Sequence, residues 1–305
     1  MFSPHAIRAI LPTHAKDDTP YPKRARVVGH YIAAIELVGP LDKSDLGEAR
    51  LAVRRAAKDT AIGSILLVVD SPGGSVAGTN DLHEEIAAAA RQKPVVAIVE
   101  DLCCSAAYWA ICGASEIVAT PTSVVGSLGV FTIMADASEA FKKAGLEILI
   151  VKSGTMKGAG VWGTKIDAEH VALVQGLVDS LAQHFFTAVA RGRQMSMQRV
   201  MALADGAVFV GSQALSNGLI DRVANITDVI GELERRAELR AMDFLTGSAA
   251  AQKFDELVAQ RVAGGYTQPS AEASIRCGYP RLFDAAKNHE KAEYRRTVAA
   301  RRCGL

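Results

Sequence analysis

An apolar run, Pro94–Val99, is the feature that most constrains how this chain can fold. Uninterrupted runs of this kind are typical of strands that are buried on both faces of a parallel sheet. The run ends at the polar pair Glu100 and Asp101, and a segment of small residues then leads through Ser105 to Ile111. The pattern predicts a strand that turns sharply into a helix. Helix starts stabilise anions, so Ser105 is a candidate nucleophile, although serine is also a favoured N-cap residue.

Apolar strands alternate with helical patterns along much of the chain. Tyr31–Val38 and Ile62–Val69 predict buried strands, and a segment with helical periodicity follows each of them. A further strand is predicted at Glu147–Val151, and a long amphipathic helix that packs on the core is predicted at 167–192. This alternation predicts an α/β fold with βαβ units and a mainly parallel sheet.

Composition divides the chain into three parts. Residues 1–28 have little periodicity and indicate an N-terminal arm, 29–240 hold the α/β domain, and 241–305 indicate a C-terminal tail that is helical or partly disordered. The 305 residues are 49% apolar and 22% charged, which is typical of a soluble globular protein. The net charge of +1 gives no general attraction to nucleic acid. No apolar stretch is long enough to span a membrane, so we expect a cytoplasmic protein without an anchor.

A serine nucleophile needs a base, and histidine is the commonest one. None of the histidines falls in the strand–helix units beside Ser105; they are His5, His14, His30, His83, His170, His184 and His289. Lysine is the alternative, because Lys152 and Lys157 follow the predicted strand at Glu147–Val151 in a loop of small residues. A lysine accepts a proton only where burial favours its neutral amine. From the residues alone, a histidine base, a lysine base and plain surface lysines all stay open.

Glycines and cysteines add two further hypotheses. Gly73 and Gly74 follow a predicted buried strand, and glycine lets backbone amides approach a substrate closely enough to bind an oxyanion. Cys103, Cys104 and Cys112 form no disulfide framework, so we interpret them as buried apolar residues in a reducing compartment. A redox-sensitive pair beside the nucleophile is the alternative. We expect no metal and no cofactor.

Four motifs occur in one order along the chain: Asp70–Val76, Ser105–Ala110, Pro121–Val130 and Lys152–Lys157. Together they resemble the signal-peptide-peptidase-A (protease IV) family of Ser/Lys proteases, which have the ClpP/crotonase fold, over about residues 29–240. The resemblance implies that Ser105 is the nucleophile and Lys157 the general base. It further implies that Ser127 holds the lysine amine and that the Gly73 and Gly74 amides form the oxyanion hole.

Within that family the chain resembles the soluble phage prohead, or head-maturation, proteases more than the membrane-anchored peptidases. The resemblance therefore implies a serine endopeptidase that acts on protein or peptide substrates such as capsid or scaffold proteins. It also implies a homo-oligomer, located in the host cytoplasm or the assembling virion. Three alternatives stay open: a cytoplasmic peptidase that clears peptides, a crotonase-type enzyme acting on acyl-CoA, and a catalytically dead scaffold.

Overall fold

The structure is a computed structural model, and it describes residues 8–10, 31–243, 247–279 and 282–290. Most of the predicted arm 1–28 and the end of the predicted tail lie outside these ranges. The strands are β1 (Arg8–Ile10), β2 (Tyr31–Val38), β3 (Ile62–Ser71), β4 (Val95–Cys104), β5 (Glu116–Ala119), β6 (Val124–Gly126), β7 (Val208–Val210) and β8 (Arg222–Val223).

The helices run from near the start of the described chain to its end. They are α1 (Lys43–Lys58), α2 (Thr79–Ala90), α3 (Ala106–Ile111), α4 (Ser138–Lys143), α5 (Ala168–Gly192), α6 (Met197–Met201), α7 (Gly211–Ser216), α8 (Ile226–Asp243), α9 (Gly247–Ala263), α10 (Gln268–Gly278) and α11 (282–290). None of these described helices is both long enough and apolar enough to cross a membrane.

Two compact units make up the described chain. Among described residues, the first unit comprises 36–53 and 67–224. Within it, β4, β5 and β8 are neighbours in that order. β4 pairs in parallel with β5, and β5 pairs in parallel with β8, while β7 is antiparallel to β6. The predicted α/β class with a mainly parallel sheet is therefore confirmed.

Strand β4 is longer than the sequence predicts, because it continues through Glu100 to Cys104. It pairs with β5 up to Val99 and changes partner to β6 from Leu102 onwards. The buried Ser123 fills the gap, since its hydroxyl lies 2.9 Å from the Val99 carbonyl oxygen and 3.0 Å from that of Glu100. As a result, the end of β4 extends beyond β5 and carries Ser105 with it.

The predicted core-packing role of α5 holds only for the second half of the helix. Its buried residues are Ala182, Phe185, Ala188 and Val189. The Phe185 ring stacks on Trp109 of the buried helix α3, with ring centroids 5.0 Å apart. The first half of α5 exposes apolar side chains at Val171, Leu173 and Leu177. Apolar periodicity identified the helix correctly but assigned too much of it to the core.

The predicted strand at Glu147–Val151 is wrong. The described chain has no strand between β6 and β7, and residues 144–167 form loops and turns after α4. The segment is rich in β-branched residues, which is the reason for the prediction. Its side chains are exposed rather than packed between sheet and helix, as Leu149 (84% exposed) and Val151 (93%) show.

The second unit comprises, among described residues, 8–10, 31–35, 54–66 and the chain from 225 onwards. β1 pairs antiparallel with β2 in this unit. Where it is described, the predicted tail is helical, and it has a small core formed by Ala250, Phe254, Leu257, Val258, Ala271, Ile275, Leu282 and Ala286. The Phe254 and Phe283 rings meet edge to face at 5.7 Å, so α9 and α11 contribute to one apolar cluster.

Candidate active site

Ser105 occupies the corner between β4 and α3 in an unusual backbone conformation. Its φ of 52° and ψ of −123° are strained for a residue with a side chain, and such geometry persists only where the surroundings enforce it. The Ser105 N–H donates to the Gly126 carbonyl, and its own carbonyl accepts from the Trp109 N–H, both at 2.9 Å. The Ser105 hydroxyl makes no capping hydrogen bond to α3. The simple N-cap explanation for this serine therefore fails.

Gly73 lies directly against the Ser105 corner. A Cβ atom on Gly73 would lie 2.8 Å from the Ser105 Cβ and 2.9 Å from the Ala106 nitrogen, closer than real Cβ contacts. Its φ of 100° also favours glycine. The Gly73 N–H donates to the buried Ser71 hydroxyl at 3.0 Å, and that hydroxyl donates to the Gly39 carbonyl. A glycine is thus required here, and the turn backbone lies next to Ser105.

The backbone N–H and carbonyl of Gly74 point away from Leu41, the residue with which Gly74 is paired. It forms a parallel bridge with Leu41, in which the hydrogen bonds are made by the Gly73 carbonyl and the Ser75 N–H. In this pattern the N–H and carbonyl of Gly74 itself point away from Leu41. The first N–H groups of a helix also lack intrahelical partners, which makes the Ala106 N–H, beside Gly73, a second available donor. Sequence analysis did not identify Ala106.

Ser127 lies next to Ser105 at the ends of neighbouring strands. Cys104 is in register with Gly126 in the parallel pairing of β4 and β6, so the two serines are the residues that follow. Ser127 also has a positive φ of 53°, and its N–H donates to the Ala207 carbonyl at 2.7 Å. The structure thereby brings together Ser105, Ser127 and the glycine turn.

Lys157 is not brought into this cluster by a hydrogen bond. In the described part of the chain, its exposed side chain makes none to Ser105 or Ser127. Its backbone belongs to a series of tight turns, with its N–H donating to Gly154 at 3.1 Å. Lys152 is also exposed, and its amine donates to the Thr155 carbonyl. Neither lysine has the dry surroundings that a neutral amine requires.

The histidines of the first unit serve other purposes. His83 is buried in α2, and its Nδ1 lies 3.5 Å from the Cys112 sulfur. Burial lowers the pKa of His83 and raises the pKa of the Cys112 thiol, so both groups stay neutral. His170 lies beside Asp167 at the start of α5, and His184 is exposed on the same helix. These positions give no support to a histidine base for Ser105.

The cysteines behave as buried apolar residues, as the sequence predicts. Cys103, Cys104 and Cys112 are free thiols with little exposure. Burial raises the pKa of each of them, which disfavours the reactive thiolate. The interpretation as small packing residues is confirmed, and the redox-sensitive alternative loses its chemical basis.

An ion pair that sequence analysis missed supports the back of helix α3. Arg193 and Asp221 form two hydrogen bonds of 2.7 and 2.9 Å, and the Arg193 Nε donates to the Gly218 carbonyl. The buried Tyr108 hydroxyl of α3 donates to the Leu219 carbonyl at 2.7 Å in the same segment. The two residues are 28 positions apart in the sequence, so only the structure reveals that the buried Arg193 side chain pairs with the more exposed Asp221.

A comparison with known proteins places this geometry in a family. Residues 87–240, about half of the chain, match the sequence model of peptidase family S49. The chain belongs to peptidase family S49. Ser105, Ser127 and Lys157 lie within the matched range, whereas Gly73 and Gly74 precede it. The resemblance inferred from the four motifs is thus confirmed at the level of the family.

Curated members of this group include both phage and cellular proteins. The chain is 34% identical over 178 residues to capsid assembly protease C of Escherichia phage lambda, covering 58% of this chain and 40% of that one. It is 31% identical over 224 residues to head-tail preconnector protein GP5 of Enterobacteria phage P21, covering 72% and 44%. It is 29% identical over 217 residues to protease 4 of Salmonella typhi, covering 65% and 35%. The chain spans less than half the length of each of these relatives.

Proposed function

We propose that this S49 family member is a serine endopeptidase with Ser105 as nucleophile and Lys157 as general base. The observation that carries the proposal is the Ser105 corner. A strained serine, with a hydroxyl that is not used to cap its helix, lies against a glycine turn in which the Gly74 N–H points away from its bridge partner Leu41. Strain of this kind clusters at functional sites.

The proposed chemistry proceeds by acyl transfer. The Ser105 Oγ attacks the peptide carbonyl carbon while the Lys157 amine takes the hydroxyl proton, and the negative charge moves to the carbonyl oxygen. We assign this oxyanion to the Gly74 N–H and the Ala106 N–H. The Gly73 N–H, which the family resemblance implies as a donor, is instead bonded to the Ser71 hydroxyl, so Gly73 contributes by allowing the close approach. Lysine then returns the proton to the leaving amine as the peptide C–N bond breaks. Water, deprotonated by the same lysine, hydrolyses the acyl-serine ester.

The exposed surroundings of Lys157, the proposed base, give a reason to expect that copies of the chain associate. Five large apolar side chains in or just before the segment that carries Lys157 are exposed, and we call them the apolar face: Phe131, Ile133, Leu149, Val151 and Trp162. Several large apolar side chains left exposed in one segment are typical of a region that contacts another protein. We infer that a second copy of the chain covers this face, so that Lys157 becomes buried and its neutral amine is favoured.

A capsid protein is the substrate class that we propose. Two of the relatives carry phage assembly names, a capsid assembly protease and a head-tail preconnector protein, and both exceed 30% identity to this chain. The cellular alternative is a peptidase that clears peptides, as the similarity to protease 4 allows. The two differ in whether a folded assembly protein or a short peptide is cut.

Labelling by a fluorophosphonate probe tests the nucleophile directly. We expect the wild-type protein to be labelled once at Ser105, and Ser105→Ala to be unlabelled with an unchanged fold. Co-expression with the major capsid protein encoded by the same genome should then give discrete cleavage products with the wild type alone. Labelling without capsid cleavage, together with degradation of short peptides, would support the peptide-clearing role. Absence of labelling in the assembled wild type would support a dead scaffold.

Sedimentation tests the proposed assembly independently of the chemistry. We expect Val151→Asp, in the apolar face, to shift the protein towards monomer and to lower peptidase activity together with labelling. Val38→Asp is the matched control, because Val38 is an exposed valine outside the apolar face. A wild-type monomer that is fully active at micromolar concentration would overturn the assembly.

A further inference from the structure

The two ends of the segment that carries Lys157 meet at one carboxylate. We call residues 137–165 the lysine excursion. Asp136, just before it, accepts a hydrogen bond through Oδ2 from the N–H of Ile166, just after it, at 3.0 Å. The other oxygen, Oδ1, accepts from the Ser138 N–H at 2.9 Å and the Ser138 hydroxyl at 2.6 Å. One side chain thus joins residues that are 30 positions apart in the sequence.

The carboxylate is well suited to this bridging role. Hydrogen bonds from the Ser138 hydroxyl, the Ile166 N–H and the Ser138 N–H lower the pKa of Asp136 to about 2. Asp136 is therefore charged at neutral pH, and its hydrogen bonds are of the stronger, charge-assisted kind. The next residue after the bridge, Asp167, accepts from the His170 N–H and starts α5. The far end of the lysine excursion is thereby joined to a regular element.

Between these ends the lysine excursion packs mainly on itself. A Cβ on Gly163 would lie 2.9 Å from the Phe141 ring and 3.0 Å from Ile148, so the middle and the end of the segment touch. A Cβ on Gly158, next to Lys157, would lie 3.0 Å from Ile150. Because the segment has its own internal contacts, a change at its base would move it as a body rather than unfold it.

We propose that Asp136 is a positioning residue for Lys157. By holding the Ile166 N–H beside the Ser138 turn, it fixes how the two ends of the lysine excursion are oriented, and with it the place of the lysine amine. The inference rests on the proposed role of Lys157 as the base. Placement matters because an error of about 1 Å in a reacting group can cost on the order of 100-fold in rate.

Two variants separate the long-range bond from the local turn. Asp136→Asn keeps a single acceptor oxygen, which satisfies both Ser138 donors when it stays on that side. Its amide NH₂ then faces the Ile166 N–H, and because both groups are donors they form no hydrogen bond. The bond between residues 136 and 166 is lost, while the hydrogen bonds from Ser138 remain. Ser138→Ala removes the hydroxyl from the local turn and leaves the bridge to Ile166 in place. It is the matched control.

Three measurements on the assembled protein test the proposal: hydrogen exchange at the Ile166 amide, the acylation rate with a fluorophosphonate, and kcat and KM on a peptide substrate. For Asp136→Asn we expect faster exchange at Ile166, a roughly 10- to 100-fold slower acylation, and a fall in kcat with KM within about 2-fold. For Ser138→Ala we expect acylation within about 2-fold of the wild type. Sedimentation and thermal unfolding verify that assembly and fold are kept.

The outcomes distinguish this inference from the proposed function. Faster exchange at Ile166 with unchanged acylation would overturn the positioning role, as would an equal loss of acylation in Ser138→Ala. A rise in KM with unchanged kcat would make Asp136 a substrate-binding residue instead. Normal acylation by Lys157→Ala would refute the proposed base itself, and the exchange result at Ile166 would still show whether the bridge exists.

Discussion

The Ser105 corner and the lysine excursion differ in how the chain holds them. At the corner, helix α3 is buried throughout and the Gly73 turn approaches closer than any Cβ would allow. Hydrogen bonds there join residues far apart in sequence, such as Ser105 and Gly126. In the excursion most hydrogen bonds are local turns, and apolar side chains face outwards. A single chain thus preorganises the proposed nucleophile and oxyanion donors, while in our proposal the base depends on the closure at Asp136 and on a second copy covering the apolar face.

The largest effect that we expect comes from the excursion and acts on activity. Lys157→Ala should slow acylation by about 10²- to 10⁴-fold, the usual contribution of a general base. The folding free energy should change by less than about 0.5 kcal/mol, because the side chain is exposed. Stopped-flow acylation and chemical denaturation measure the two quantities.

Lys152→Ala is the control for that experiment, as a second exposed lysine on the same segment. Its acylation rate should stay within a few-fold of the wild type. The reverse result, normal acylation in Lys157→Ala and none in Lys152→Ala, would transfer the role of base to Lys152.

At the corner, the corresponding change should affect stability. Gly73→Ala would force a Cβ against Cys104, Ser105 and Ala106 in a left-handed conformation, at a cost of about 2–4 kcal/mol from overpacking and backbone strain. Gly47→Ala, in helix α1 with open space around it, should be neutral or slightly stabilising. Urea unfolding of both variants gives the difference. Equal free energies of unfolding for the two variants would mean that the Ser105 corner can rearrange to accept a Cβ atom at residue 73.

The same substitution at a glycine of the lysine excursion should destabilise the protein less than Gly73→Ala. The Cβ of Gly163→Ala meets only the side chains of Phe141 and Ile148, which can shift, but the φ of 86° adds backbone strain, so we expect a loss of about 1–2 kcal/mol in global stability. Hydrogen exchange should instead increase within residues 137–165, because the segment opens locally. Gly176→Ala in α5, which has free space, controls for the substitution itself. A global loss as large as that of Gly73→Ala would contradict the contrast between the two regions.

The smallest effect concerns pH and the core behind the corner. Burial lowers the pKa of His83 below 6.5, so the folded protein keeps this ring neutral while the unfolded chain protonates it. Titration of His83 therefore leaves the free energy of unfolding unchanged above pH 6.5. Below pH 6.5 it lowers the free energy of unfolding as the pH decreases towards the folded pKa, by at most about 1.4 kcal/mol per pH unit for one group. His83→Gln should flatten this dependence between pH 6.5 and 5 in denaturation curves. An unchanged slope would assign the effect to another group.

The sequence identified the corner well, because its signals are local. A buried apolar run, small residues and a serine in succession specify a strand that enters a helix, and glycines after β3 specify a close backbone approach. The end of β4 was misjudged because Glu100 and Asp101 are exposed yet still in the strand. That extension depends on Ser123, whose contacts with the β4 carbonyls are not a local signal.

The excursion was predicted poorly for a different physical reason. Apolar β-branched residues at Ile148, Ile150 and Val151 predict a strand, since hydrophobicity alone does not separate a core position from an exposed contact surface. The first half of α5 misled in the same way at Leu177. The pairing of Lys157 with Ser105 stays a prediction, and it rests on the family resemblance.

The fluorescence of the two tryptophans reports separately on the Ser105 corner and on the lysine excursion. Trp109 stacks on Phe185 behind the corner and is 2% exposed, whereas Trp162 belongs to the apolar face and is 63% exposed. The chain has these two tryptophans, so its intrinsic tryptophan fluorescence is the sum of one buried and one solvent-exposed indole. Trp162→Phe leaves a reporter of the buried helix alone, and Trp109→Phe leaves a reporter of the excursion. Each region of the protein therefore carries its own fluorophore, and their spectra can be followed separately as the protein concentration is raised.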